Sequence, residues 1–239
     1  MIEAIDKILG FYKAPNFAII VVSLIIIIFI IIVGVKLKKQ DPNKPTKGIL
    51  LAAEALVDWT NGMCKGALGS RWKVFAPYVL FEAMFLAVAN LSGLLGLTPP
   101  TSNICVPLAL GIVTGFIMHI AAIKYSGWKA YLKGYLDPIA VMLPINIFSE
   151  LVTPISMGLR LFGNIFSGTV VSTLVYHLFT QVLSVTINSI TIPYGAVFAP
   201  FVTPFIHAIF DVFLGLIQVY VFILLTVVFI AGKIPEEEE

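Results

Sequence analysis

PIAVMLPINIFSELVTPISMGLRLFGNIFSGTVVSTLVYHLF, residues Pro138–Phe179, is a stretch of 42 residues in which apolar side chains dominate from end to end. As a helix it reaches about 63 Å, roughly twice the 30 Å of a bilayer's hydrocarbon core. A second stretch, Ala196–Ala231, has 36 residues and would reach about 54 Å. An ordinary tilt of about 20° does not absorb that excess. Each is therefore either one steeply tilted helix or a pair of short spans. Arg160, Gly163 and Asn164 offer a turn in the first, whereas the second has only Gly215 at its middle. Splitting one and not the other would move the C-terminal tail across the membrane. Two long, strongly tilted helices joined by an outside loop near 180–195 are expected.

The rest of the chain fits a membrane protein. Of 239 residues 59% are hydrophobic and 12% charged, half the charge that a water-soluble surface usually carries, and the mean hydropathy is +1.00. This excludes a soluble enzyme, a nucleic-acid binder and a disordered chain. Three further stretches are long enough to span: Phe17–Val35, Val74–Leu97 and Ile104–Ile123. The first is too long for a signal-peptide core and reads as a retained span. Segment 47–69 alternates Leu50, Ala53, Val57 and Cys64 with Glu54, Asp58, Asn61 and Lys65, the pattern of an interfacial amphipathic helix. The expected fold is an all-α integral membrane protein of five membrane segments plus that helix, forming one domain over residues 1–239.

Basic residues orient it. Lysines from Lys36 to Lys47, then Arg71 and Lys73, and then Lys124, Lys129 and Lys133 flank alternate loops, while 98–103 carries no charge. By the positive-inside rule the N-terminal residues 1–16 lie outside, and the tail 232–239, with Glu236–Glu239, lies in the cytoplasm. Cys64 and Cys105 are isolated from each other and from histidine clusters, so neither a metal site nor a redox pair is expected. No cofactor is called for.

Ionisable residues inside membrane spans are costly and usually face protein or a water-filled cavity. Here they are Glu82, His119, Glu150, Arg160, His177, His207 and Asp211. On an α-helix Ser156, Arg160 and Asn164 share one face. Thr169, Ser172, Thr173 and Tyr176 form a second polar stripe, and His207, Asp211, Gly215 and Gln218 a third. A guanidinium stays charged and cannot relay its own proton, so Arg160 between two half-channels attracts carboxylates while blocking direct passage. Asp211 and His207 can exchange protons. The plainer readings are a structural ion pair of Arg160 with Glu150 or Asp211, interfacial or core roles for His119 and His177, a structural contact for Glu82, and helix–helix hydrogen bonds from Asn90 and Ser92.

The run Pro154-ISMGL-Arg160-LFG-Asn164-IFS-Gly168 resembles the signature of subunit a of the bacterial F-type ATP synthase, as do Pro144–Leu151, Gly215–Thr226 and Pro100–Asn103. The resemblance covers nearly the whole chain. It implies two long, nearly horizontal helices against a ring of c subunits, a b-subunit peripheral stalk as a further partner, and a place in the bacterial cell membrane. The chain would then serve the proton-transporting two-sector ATPase without a catalytic site of its own, coupling H⁺ or Na⁺ flow to ATP synthesis. Arg160 would be the essential charge facing each passing carboxylate. Glu150 would line the cytoplasmic half-channel, and Asn164, Asp211, Gln218 and Asn103 the outer one. Thr169 stands where many relatives have Glu or His, which leaves Asp211, His207 and water to carry the outer relay. The alternative is a secondary transporter or channel built on an Arg160/Asp211 site, although such proteins usually show internal repeats that this chain lacks.

Overall fold

The computed structural model describes residues 15–41, 45–95, 97–136, 139–179, 185–187, 190–192, 202, 204–206 and 208–235. Its helices are α1 (Pro15–Lys39), α2 (Ile49–Leu68), α3 (Trp72–Leu91), α4 (Cys105–Ser126), the short α5 (Trp128–Gly134), α6 (Leu143–His177) and α7 (Gly215–Ala231). A π-helical stretch, Ala208–Leu214, leads into α7. The fold is all-α, with one small antiparallel hairpin between the last two long helices, pairing Val185–Ile187 with Ile190–Ile192. The N-terminal segment, most of the loop near 180–195, His207 and the Glu236–Glu239 tail lie outside the described residues.

Five helical stretches are long and apolar enough to cross a membrane: Phe17–Lys39, Ile49–Leu94, Cys105–Ser126, Leu143–His177 and Pro204–Ala231. The second joins the amphipathic α2 to α3 through the tight turn Gly69–Arg71, where Gly69 adopts φ 55°. Only Leu50, Ala53, Thr60, Cys64 and Leu68 of α2 are buried, a single stripe laid against α3 and α7. α6 passes unbroken through Pro154, Arg160, Gly163 and Asn164, so the turn those residues could have made does not form. Its 35 residues still reach about 52 Å, well beyond a hydrocarbon core.

The core runs through α1 to α4, α6 and α7, with Val22, Cys64, Val79, Leu86, Leu161, Phe222, Ile223 and Ile230 fully or almost fully buried. The most extensive helix contact joins α4 to α6. There Gly111 lies directly against the Pro154 carbonyl, and a Cβ on Gly158 would sit 2.7 Å from the Pro107 carbonyl oxygen. Small residues allow such backbone-to-backbone approach, the usual means of packing helices in lipid, where apolar burial gives no drive. Polar clasps add to it. Asn90 Nδ2 donates to the Gly215 carbonyl at 3.1 Å and Asn90 Oδ1 accepts from Thr101 at 3.1 Å, tying α3 to α7 and to the turn before α4. Ser92, by contrast, donates to the Ala89 carbonyl at 2.7 Å, a local bond at the end of α3, and makes no cross-helix bond among the described residues.

Candidate functional site

Arg160 projects from the exposed face of α6. It opens on a groove of about 370 Å³ whose lining includes Phe148, Ser149, Ser156, Leu225 and Phe229. Helical spacing brings Ser149, Ser156 and Arg160 to that groove, and α7 supplies its apolar far wall. Among the described residues Arg160 makes no hydrogen bond or ion pair. The structural pairing with Glu150 does not form, because Glu150 is engaged elsewhere.

Glu150 lies in a second cavity of about 420 Å³. Its carboxylate pairs with Lys233, accepts from the Tyr135 hydroxyl, and stands 3.7 Å from His119 Nδ1. The Tyr131 hydroxyl bridges His119 Nδ1 at 3.0 Å and the Tyr135 hydroxyl at 2.6 Å. Asn146 donates to the Tyr135 carbonyl at 3.0 Å, fixing the loop between α5 and α6 over the cavity. Burial, then the neighbouring Tyr131, pushes the Tyr135 phenol above its usual range, so it remains a proton donor to the carboxylate. Ser149 lines both this cavity and the Arg160 groove.

Four members of this constellation, His119, Tyr131, Tyr135 and Lys233, fall outside the sequence-derived site. His119 was assignable only to an interface or core because its partners come from α5, α6 and the segment after α7. The available signal was the Tyr131/Tyr135 pair at i, i+4, which places two phenols on one helical face.

The expected outer residues occupy separate positions. Asn164 Nδ2 and Gln218 Nε2 are buried and have no hydrogen-bond partner among the described residues. Buried amide donors in that condition call for water or a passing polar group. Thr169 donates to the Ile165 carbonyl at 2.9 Å, and Thr173 to the Thr169 carbonyl at 2.8 Å, so part of the second stripe is spent on its own backbone. Asn103 Oδ1 accepts from the Cys105 amide at 3.1 Å, a local bond in the turn that leads into α4. A single face through His207, Asp211, Gly215 and Gln218 requires α-helical rotation. Residues 208–214 instead form a π-helix, whose i→i+5 bonds turn each residue through a smaller angle. His207 and the side chain of Asp211 lie outside what the structure describes.

The family model described as ATP synthase A chain matches residues 17–231. The chain belongs to this family. Among curated relatives of the ATP synthase A chain family it is 35% identical over 223 residues to "ATP synthase subunit a" of Limosilactobacillus reuteri, covering 88% of each chain. It is 34% identical over 230 residues to that of Streptococcus agalactiae serotype III, covering 90% of this chain and 88% of the other. With Mycoplasma genitalium the identity is 33% over 231 residues, covering 92% and 76% respectively.

Proposed function

We propose that this chain is the ion-translocating stator subunit of a bacterial rotary ATP synthase, multi-pass in the cell membrane, and that Arg160 is its essential charge. The observation that carries the role of Arg160 is its setting. A permanent cation stands on an unbroken helix too long to stand upright, faces an open groove, and has no partner among the described residues of its own chain. Leaving a guanidinium unpaired at membrane depth is expensive, and the expense is offset when a carboxylate comes from outside. A rotor subunit carrying one carboxylate supplies that charge at each step. The guanidinium favours the ionised carboxylate and, unable to pass on a proton, separates the two half-channels.

In this reading the Glu150 cavity is the cytoplasmic half-channel, and Ser149 leads from it to the Arg160 groove. Asn164, Asp211, Gln218 and Asn103 line the outer half-channel, Asp211, His207 and water carry its relay past Thr169, and Ser156 shares the helix face of Arg160. The N-terminus lies outside and the C-terminus in the cytoplasm. A c-ring occupies the exposed face of α6, and a b-subunit stalk holds the chain still. The same reading keeps α6 and the 28-residue stretch Pro204–Ala231 steeply tilted, since each is longer than the hydrocarbon core is thick.

Arg160→Ala abolishes ion-driven ATP synthesis while the complex still assembles, measured as coupled synthesis in energised vesicles beside co-purification with c subunits. Retained coupled synthesis would overturn the mechanism. Loss of the c subunits from the purified wild-type chain would overturn the rotary assignment.

A further inference from the structure

The segment after α7 is held by elements distant in sequence. Gly232–Pro235 turns back against the bundle, with Lys233 N bonded to the Ile230 carbonyl at 3.1 Å and Ile234 N to the Ala231 carbonyl at 3.0 Å. Two other elements grip its backbone. Ser126, at the end of α4, donates to the Lys233 carbonyl at 3.3 Å, and Arg71, in the turn before α3, donates to the Pro235 carbonyl at 3.2 Å. The Arg71 guanidinium is itself seated on the Tyr125 ring at 4.7 Å. These contacts aim the Lys233 side chain into the 420 Å³ cavity, where it meets Glu150. Both side chains are mostly buried, at 30% and 15% exposure.

From this geometry we infer that Lys233 is a positioning residue for the cytoplasmic half-channel: a tethered ammonium that occupies Glu150 between ion transfers and sets how readily that carboxylate takes a proton. The inference rests on the reading of the Glu150 cavity as a half-channel. Lys233 and Glu150 carry the formal charges that face one another there. Tyr131, Tyr135 and His119 are the remaining titratable groups, and Asn146 and Ser126 the neutral polar ones. When a proton arrives, an O–H bond forms on Glu150 and the O–H bond that held the proton to water breaks. Lys233 stays an ammonium and loses only its ion pair. It then waits beside the neutral acid and re-forms the pair as the proton moves on. Burial pushes the Lys233 ammonium below its usual range, and the Glu150 carboxylate in contact with it favours the charged form.

Removing an opposite charge at contact distance lets a carboxyl hold its proton to higher pH, commonly by one unit or more. The test is ATP-driven ion uptake into inverted membrane vesicles carrying the whole complex, where the cytoplasmic face meets the medium. Uptake is measured against medium pH and normalised to assembled complex. In Lys233→Met the profile moves to higher pH by about one unit, and Lys233→Arg keeps the wild-type profile. Lys233→Gln, which retains a hydrogen-bonding side chain, repeats the shift and serves should Lys233→Met assemble poorly. Glu150→Gln is measured in parallel. If it lowers uptake while both neutral Lys233 variants keep the wild-type profile, the tethered-ammonium role is wrong and the half-channel reading stands. If Glu150→Gln takes up ions as the wild type does, the half-channel reading itself is wrong.

Discussion

Glu82 shows what one buried carboxyl requires inside such a bundle. It is 0% exposed on α3, and its Oε1 accepts from Tyr78 at 2.5 Å and from Thr114 of α4 at 2.8 Å. The Tyr78 and Thr114 hydroxyls also lie 2.8 Å apart, closing a triangle of oxygens between two helices. No ion pair engages Glu82 among the described residues, so its value lies in the acceptor oxygen rather than in charge. Glu82→Gln, which keeps that oxygen, is expected to leave the complex close to wild-type stability. Glu82→Ala takes away the acceptor that Tyr78 and Thr114 share, leaving Thr114 its Leu110 carbonyl at 3.0 Å and Tyr78 the Thr114 hydroxyl, and costs about 1 kcal/mol, readable as a lower melting temperature of the detergent-solubilised complex. Arg160 sits at the opposite extreme, its charge answered by nothing described in the chain. The contrast explains what a sequence can say at this scale. The unusual cost of each group is visible in one residue letter, but the remedy depends on neighbours brought from distant positions. Glu150 stands out in the sequence as a carboxyl at membrane depth, whereas nothing in the sequence pairs it with Lys233, more than 80 residues away.

At the scale of helices, apolar length told most of the story. Five spanning stretches, the amphipathic α2 and the two overlong segments all follow from runs of hydrophobic residues and the placing of lysines. Two local features did not. The continuity of α6 through Gly163 and Asn164 is enforced by packing of its Met157, Gly158 and Leu161 face, all buried, against neighbours the sequence does not name. The π-helical entrance to α7 shifts the rotation of every residue before Gly215, and no single letter announces it. The α4–α6 crossing yields a sharper test. Gly158→Leu drives a side chain into the Pro107 and Leu108 backbone and is expected to cost at least the 1–3 kcal/mol typical of overpacking. Gly163, on the same helix, has open space around it, so Gly163→Ala should fold normally. Comparing the amounts of assembled complex for the two variants checks the claim. Equal amounts would contradict the close crossing.

For the whole molecule the question is which surface meets what. Much of the apolar exposure, including Ile28 and Ile31 on α1 and Phe116 and Ile120 on α4, suits lipid tails. The exposed face of α6 differs because it interrupts apolar surface with Ser156 and Arg160. A cysteine at Ser156 is therefore expected to form a disulfide with a cysteine placed on the c subunit near its carboxylate. A cysteine at Phe116, 64% exposed on α4, should form none. Cross-linked a–c product on a non-reducing gel decides between them, and equal yields from both positions would refute the assigned face.

The glycine–proline seam between α4 and α6 has a mechanical meaning as well. A stationary part beside a turning rotor is pushed sideways at every step, and any give in its mounting wastes the push as recoil. Long side chains between two helices would act as springs, each with rotamers to swap under load. Main chain resting on main chain has none. On the proposed function, the helix that carries Arg160 is thus braced where compliance would otherwise blur the alignment of charge with rotor.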